Sequence, residues 1–429
     1  MKIAIAGSGY VGLVTAACMA DKGHQVVCVD VDDKRVEVLK KGICPIFEPG
    51  LGVLIKKNKE RLSFTTNWHS AYRDAKVIFI GVGTPEKKDG SANLSYVYTV
   101  AKQIAESVKT ECVVVIKSTV PIGTNDKVER IINEHRKDRG NILVASNPEF
   151  LAQGTAVENT LHASRIVLGV EERTAKDTLL ELYKDFDAPK LVMNRRSAEM
   201  VKYASNDFLA LKISYINEIA NLCEEIGADI RDVTRGMGYD SRIGNEFLKA
   251  GIGYGGSCFP KDTKALHWLS SMHDRELKTI KAAIEVNEQQ KLRLIKKSRK
   301  FYESFEGLII SVLGLTFKPN TDDLREAPSL VNIPIFLDEG AIVKVWDPIG
   351  MENYKKVYPT ELIYCNSIDE TIAGTDICFI FTDWEEIRGY DTEKFQKLMR
   401  RPVVMDGRGC FKTLHNGICY ERIGLGKID

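Results

Sequence analysis

The stretch Lys2-Ile-Ala-Ile-Ala-Gly7-Ser-Gly9-Tyr10-Val11-Gly12 decides the fold. Its apolar run predicts a strand over Lys2–Ala6, the segment Tyr10–Lys22 predicts a helix, and Gln25–Val29 predicts a second strand ending at Asp30. The three glycines fall between the first strand and the helix. There they permit a tight turn, close backbone approach to a pyrophosphate and close helix–strand packing. Amides exposed at the helix start, together with the helix dipole, favour an anion at that turn. Asp30 lies eighteen residues past Gly12 and can bond the ribose hydroxyls of an adenosine. Its carboxylate would repel a 2′-phosphate, so NAD is expected rather than NADP. Arg35, one helical turn further on, is placed to cover the adenine.

Working outward, Val77–Gly81, Cys112–Lys117 and Asn141–Ser146 continue the series of short apolar strands, separated by crossovers of ten residues or more. That pattern predicts a mostly parallel sheet with helices on both faces. From Ser197 to about Gly227 the period changes. Met200, Tyr203, Ala204, Phe208, Leu211, Tyr215, Ile219 and Leu222 recur at helical spacing without a proline. This predicts one long, mostly buried helix, ended by Gly227, that links two lobes and suits a subunit interface. A third section repeats the opening motif: Leu308–Leu313 is followed by Gly314, and Ala341–Trp346 ends at Asp347, with further strands at Asp376–Thr382 and Pro402–Met405. Gly314 lacks the full glycine fingerprint, so this lobe is expected to recognise something other than a dinucleotide. The expected fold is α/β, with two Rossmann-like doubly wound parallel-sheet lobes joined by a long central helix. Its domains are expected at residues 1–196, 197–300 and 301–429.

Sixty Lys and Arg against fifty-nine Asp and Glu leave a net charge of +1, which excludes the basic excess of a general nucleic-acid binder. No apolar run approaches the roughly 18 residues of a membrane span. The first residues carry neither a signal-peptide pattern nor an Arg-rich leader. The ten cysteines contain no Cys-x-x-Cys pair and no zinc-like cluster with histidine, so no metal is expected. They read as mostly buried thiols in a reducing compartment, and a cytoplasmic location is expected. The basic run Lys291–Lys300 is expected to be the solvated face of a helix.

The sharpest chemical signal is Gly251-Ile-Gly-Tyr-Gly255-Gly256-Ser257-Cys258-Phe-Pro260-Lys261-Asp262. A glycine-rich loop lets backbone crowd a ligand, and Pro260 suits the first turn of a helix, so Cys258 should sit at that helix's amino end. Helix-start amides and the neighbouring Lys261 favour a thiolate, the nucleophilic form. Asp262, four residues on, shares its face. Lys202 and Asn206 are likewise four apart on the long helix. Lys202 can snorkel to solvent there, or hold a developing alkoxide while Asn206 orients water or substrate. Thr119 and Glu149 follow strands, at the carboxyl ends where open α/β sheets bind ligands. Thr119 can position a water, and Glu149 can move protons.

Taken together the motifs resemble the UDP-glucose 6-dehydrogenase family over essentially the whole chain. They run from Gly7–Gly12 through Val82-Gly-Thr84-Pro85, Lys117-Ser-Thr119-Val-Pro121 and Asn147-Pro-Glu149-Phe-Leu151 to the Cys258 loop. Gly314-Leu-Thr-Phe317-Lys318-Pro-Asn-Thr-Asp-Asp-Leu-Arg325-Glu and Asp406-Gly-Arg408 complete the series. The resemblance implies oxidation of a sugar's primary alcohol to a carboxylate with two NAD⁺ through a covalent cysteine intermediate. By it, Cys258 is the nucleophile and Lys202 and Asn206 steady oxyanions. Thr119 and Asp262 hold the hydrolytic water, and Glu149 handles protons. It further implies NAD contacts from the fingerprint (Gly7, Gly9, Tyr10, Val11, Gly12) and from Asp30, Arg35, Thr84, Thr119, Lys261 and Arg325. UDP-glucose contacts are implied at Glu149, Phe150, Leu151, Gln153, Lys202, Asn206, Phe247, Leu248, Lys249, Gly251, Gly255, Phe317, Lys318 and Arg408. The resemblance also implies a homodimer or higher homo-oligomer, with Arg242 donated across its interface.

One departure is visible. Where the family carries a second glutamate two residues after Asn-Pro-Glu-Phe-Leu, this chain has Gln153, which keeps the hydrogen-bonding reach but cannot act as a base. Gln153 therefore reads as a cofactor or substrate contact, and the proton work falls to Glu149. Three other outcomes compete with the UDP-glucose reading. One is a dehydrogenase for a related sugar nucleotide such as a UDP-N-acetylhexosamine or GDP-mannose. Another is a catalytically weak nucleotide-sugar-binding homologue. The last is a two-electron dehydrogenase that needs no cysteine.

Overall fold

A computed structural model of the chain describes residues 1–136, 141–412, 414 and 417–426. It divides into two compact units, Met1–Ser205 and Asn206–Asp429.

In the first unit, strands form where apolar runs are long enough to be covered on both faces. β1 (Lys2–Ala6), β4 (Val77–Ile80), β5 (Cys112–Ile116) and β6 (Ile142–Ser146) are buried almost throughout. Full burial of such strands is what a parallel sheet between helix layers requires. With β2 (Gln25–Val29), β3 (Leu62–Thr65), β7 (Ile166–Gly169) and β8 (Lys190–Met193) they form one eight-stranded sheet, ordered β3-β2-β1-β4-β5-β6-β7-β8. All pairings are parallel except β6 with β7. The order reverses between β2-β1 and β4, and the first helix, Tyr10–Asp21, starts at that switch point.

The second unit repeats the topology. β9 (Ile309–Leu313), β10 (Ile342–Trp346), β11 (Ile363–Tyr364), β12 (Ile377–Ile380), β13 (Val403–Asp406) and β14 (Cys419–Arg422) pair in the order β11-β10-β9-β12-β13-β14, all parallel. The expected α/β class, with two doubly wound lobes and a long central helix, is the observed one.

That helix spans Arg195–Ile226. Gly227, at φ +75°, ends it, and the Ala228 amide bonds back to the Cys223 carbonyl. Its buried face differs from the one expected. Of the apolar positions read from the sequence, only Tyr203 is buried, whereas Phe208 and Leu222 are 61% and 53% exposed and Met200 and Tyr215 are exposed too. The buried stripe runs instead through Lys202, Asn206, Asp207, Ala210, Ser214, Asn217 and Ala220. Periodicity fixes the spacing of a helix face, but a single chain buries the face whose small and polar side chains find partners. The basic run also departs from expectation. Lys291 and Lys297 are buried, Lys291 pairing with Glu288 and Glu326, and Lys297 with Glu224 and Glu421.

Among the described residues no helix is long and apolar enough to cross a membrane, and none of their acidic, histidine and cysteine side chains gather in threes to hold a metal. None of the cysteines is in a disulfide.

Candidate active site

The dinucleotide edge is built from backbone. Gly7 takes φ +95°, and a Cβ on Gly12 would lie 1.9 Å from the Gly7 carbonyl oxygen, so only glycine closes this turn. Gly9 caps the first helix with nothing within 4 Å of where its Cβ would be, which leaves room for a diphosphate at the helix start. Asp30, at the end of β2, accepts from the Ser8 amide at 2.7 Å and the Ser8 hydroxyl at 2.6 Å. Burial pushes its pKa up, but these bonds, the Asp32 amide and Arg35 outweigh burial and hold it below the ordinary carboxylate value. It is therefore charged and only partly covered. Tyr10 is tied down: its hydroxyl donates to Glu48 and accepts from the Gly154 amide, next to Gln153. Glu48 also accepts from the Gly154 and Ala156 amides at 2.7 Å, so a residue absent from the sequence-based set orders the Gln153 loop. Thr84 donates to the Thr119 carbonyl at 2.9 Å, which links two of the expected contact loops.

Glu149 and Lys202 meet. The Lys202 ammonium lies 2.9 Å from Glu149 Oε1 with both side chains buried, so Lys202 does not snorkel to solvent. The Leu151 amide donates to Glu149 Oε2 at 2.6 Å. Burial alone would raise the Glu149 pKa; Lys202, the Leu151 amide and Lys117 reverse it, so the carboxyl is ionised at neutral pH. Lys117 is a second residue that sequence reading passed over. Buried and bonded through Nζ to Asn147 Oδ1 at 3.0 Å, it is pushed down to about 8, by burial first and against the pull of Glu149. Glu149, Leu151, Lys117 and Asn147 border a cavity of about 190 Å³ in which Arg165 stacks over Phe150 at 3.9 Å.

In the second unit, Cys258 is the N-cap of the helix Phe259–Met272, with Pro260 in the first turn, as its spacing predicted. It is half-buried, whereas burial pushes the Cys112 and Cys378 thiols up to about 12. Asp262, fully buried, donates its backbone amide to the Cys258 carbonyl at 2.8 Å and accepts from Asn206 Nδ2 at 2.7 Å. Lys261 also donates to Asp262, so its ammonium goes to that carboxylate, and Arg325 feels the Cys258 charge. Arg325 is itself gripped by both oxygens of Asp323.

The glycines of this loop answer to a packed partner. A Cβ on Gly255 would meet the Glu326 carbonyl at 2.4 Å and Phe317 at 3.0 Å, and the Gly256 amide donates to the Arg325 carbonyl at 2.7 Å. Arg408 joins three segments, donating to the carbonyls of Phe381, Gly253 and Phe317 at 2.8, 2.9 and 3.1 Å. Gly251 lies against it, its amide bonded to Asn217 Oδ1. Phe247 holds a left-handed φ of +63° beside Phe259, a costly conformation for a bulky residue that often marks a ligand contact. Leu248 is buried, Lys249 pairs with Asp383 at 2.6 Å and Lys318 lies over the ring of Phe317. Arg242 has its side chain 87% exposed and pairs with Asp240.

Dinucleotide chemistry and thiol chemistry carried on one chain are the marks of an NAD-dependent oxidoreductase. Comparison with known proteins narrows the class. The NAD-binding, central and UDP-binding domain models of the UDP-glucose/GDP-mannose dehydrogenase family match residues 1–187, 196–289 and 311–413, and the chain belongs to that family. It is 46% identical to the UDP-glucose 6-dehydrogenase YwqF of Bacillus subtilis, over 99% of this chain and 98% of that protein. It is 44% identical to the UDP-glucose 6-dehydrogenase of Rhizobium meliloti, over 99% of each. Among solved structures, a UDP-glucose dehydrogenase from the hyperthermophilic archaeon Pyrobaculum islandicum aligns with a TM-score of 0.92 at 38% identity, covering 99% of this chain and 97% of that one.

Proposed function

We propose that the chain oxidises UDP-glucose to UDP-glucuronate in two stages, consuming two NAD⁺ and one water per sugar. NAD, when bound by the fingerprint, Asp30, Arg35, Thr84, Gln153, Lys261 and Arg325, supplies a hydride acceptor; the remaining work belongs to the protein. Glu149, kept ionised, takes the proton of the sugar's primary hydroxyl. Lys202 and Asn206 steady the negative oxygen that develops. The Cys258 sulfur adds to the aldehyde carbon as a thiohemiacetal, which still carries a hydrogen to lose as hydride and so becomes a thioester on the second oxidation. Water oriented by Thr119 and Asp262 then cleaves it. Phe150, Leu151, Phe247–Gly251, Gly255, Phe317, Lys318 and Arg408 line the sugar nucleotide, the cations among them facing its diphosphate. The carrying observation is Cys258 at a helix amino end, one turn before a fully buried carboxylate that Asn206 holds.

Three functional segments accompany this reading: a dinucleotide lobe at 1–196, a helical linker with the cysteine loop at 197–300 and a UDP-sugar lobe at 301–429, whose Lys427–Asp429 lie outside the described residues. The exposed Phe208, Tyr215, Leu222 and Ile226, spaced seven, seven and four along one helix, support a homodimer in which Arg242 reaches the partner's substrate. The activity belongs in the cytoplasm, where the thiols stay reduced. NADH formed per UDP-glucose consumed tests the proposal: two is expected, and one would reject the four-electron course. Cys258→Ser should abolish uronate formation, whereas full turnover by that variant would reject the thiol's role.

A further inference from the structure

Asp207 has no part in the reaction as described, yet its carboxyl group is buried in the second unit. It follows Asn206 directly and is 2% exposed, and neither of its carboxyl oxygens has a hydrogen-bond partner among the described residues. A buried acid without donors is costly unless it carries a proton. Burial and the Asp262 carboxylate are the influences that act on it. Asp262 reaches it from the helix Phe259–Met272, and Tyr254 faces it from the cysteine loop with Glu288 acting on that hydroxyl. Tyr254 is held protonated by burial, with a pKa of about 12. The nearest ammonium to Asp262, that of Lys261, is spent on Asp262 itself. Nearby hydroxyls are committed elsewhere, Thr263 to the Phe259 carbonyl and Ser214 to that of Ala283. Burial first, and the Asp262 charge second, raise Asp207 to about 8.

We propose that Asp207 is a positioning residue for the hydrolytic step, keeping the Asp207–Asp262 pair at a single negative charge so that Asp262 is free to receive the proton of the attacking water. This rests on the function proposed above. In that step the water oxygen bonds to the acyl carbon and one water proton passes to Asp262. The C–S bond breaks with its electron pair leaving on the Cys258 sulfur, and the new carboxylic acid gives its proton to solvent. A second fixed charge on Asp207 would oppose both the oxyanion and the departing thiolate. The neutral acid avoids this.

Two readouts on the full-length Asp207→Asn variant test the role. The first is stability against pH. An acid raised from its unfolded value near 3.9 to about 8 destabilises the fold progressively as pH rises between those values. Asparagine removes that penalty, so the Tm advantage of the variant should widen from pH 5 to pH 8 and then level off. The second is NADH formation from UDP-glucose at saturation. The ratio of the variant's kcat to wild type should rise about fivefold or more between pH 6.5 and 9, as wild-type Asp207 ionises, with KM following the same course in both. A constant Tm gap would show that Asp207 does not titrate and overturn the proposal. A widening gap with a flat kinetic ratio would show a buried acid uncoupled from the reaction, and would overturn it equally. Wild-type chain forming no NADH from UDP-glucose at any pH would instead overturn the function reading, and this role with it.

Discussion

The two sheets share one strand order and one local plan, a strand leading into a glycine turn beside a second strand that ends in an acid, yet they treat that acid in opposite ways. Among the described residues Asp30 accepts from Ser8 and Asp32 and remains partly open. Asp347, 2% exposed, accepts from the amides of Leu315, Thr316, Ile349 and Gly350, from the Thr316 hydroxyl and from Trp384 Nε1. The glycines diverge in the same sense. Space lies beyond Gly9, whereas a Cβ on Gly314 would come within 2.5 Å of Thr382. At the turn that matches the dinucleotide turn, the second sheet has packed side chains where the first leaves space. What separates a dinucleotide site from its structural echo is thus whether the acid's acceptors are left unspent. The dinucleotide fingerprint stands at the first sheet. Under the function proposed above, two oxidations pass through it in turn and Cys258 anchors the half-oxidised sugar between them.

Replacing each acid in turn should break this symmetry. Asp347→Ala leaves buried donors unpaired and is expected to cost about 3–5 kcal/mol of stability in denaturant titration. Loss of NAD affinity without loss of stability there would contradict the reading. Gly314→Ala, strained at φ +87° against Thr382, should cost about 2–4 kcal/mol. Asp30→Ala should leave the fold nearly intact and raise the NAD Kd about 10- to 100-fold, the worth of one or two bonds to a charged acceptor. Because the Asp30 pKa is depressed, its charge is present above the ordinary carboxylate range and is lost only as pH falls below it. Wild-type NAD affinity should therefore stay flat from pH 8 down to pH 5 in calorimetry. Gly9→Ala sharpens the contrast most gently: its Cβ meets no protein atom, so Tm should move by only about 1 °C while NAD binds more weakly.

The fold was legible in the sequence because its central strands, buried on both faces, are written in uninterrupted Val, Ile and Ala. The sheet margins were not. β3 alternates Leu62-Ser63-Phe64-Thr65, β8 begins with Lys190 and β11 has two residues, since an outer strand has to satisfy only one apolar face. The placement of Cys258 at a helix start, of Asp262 one turn on, and of Lys202 and Asn206 on the long helix was readable from spacing. Pairings were not, because a buried lysine and a solvated one look alike in sequence. Lys202 meeting Glu149, Lys261 spent on Asp262, and the burial of Lys117 and Asp207 depend on contacts between distant segments. The apolar stripe of the long helix misled for a related reason: periodicity gives the spacing of a helix face and not what covers it.

The central claim, that the intermediate is anchored on sulfur between two passes through one dinucleotide edge, is tested most directly by peptide mass spectrometry. The sample is an Asp262→Asn variant quenched after mixing with UDP-glucose and excess NAD. The account predicts that the peptide bearing Cys258 gains the mass of the sugar-nucleotide acyl group and that no other cysteine does. Release of aldehyde or uronate with Cys258 unmodified at every time point would contradict it.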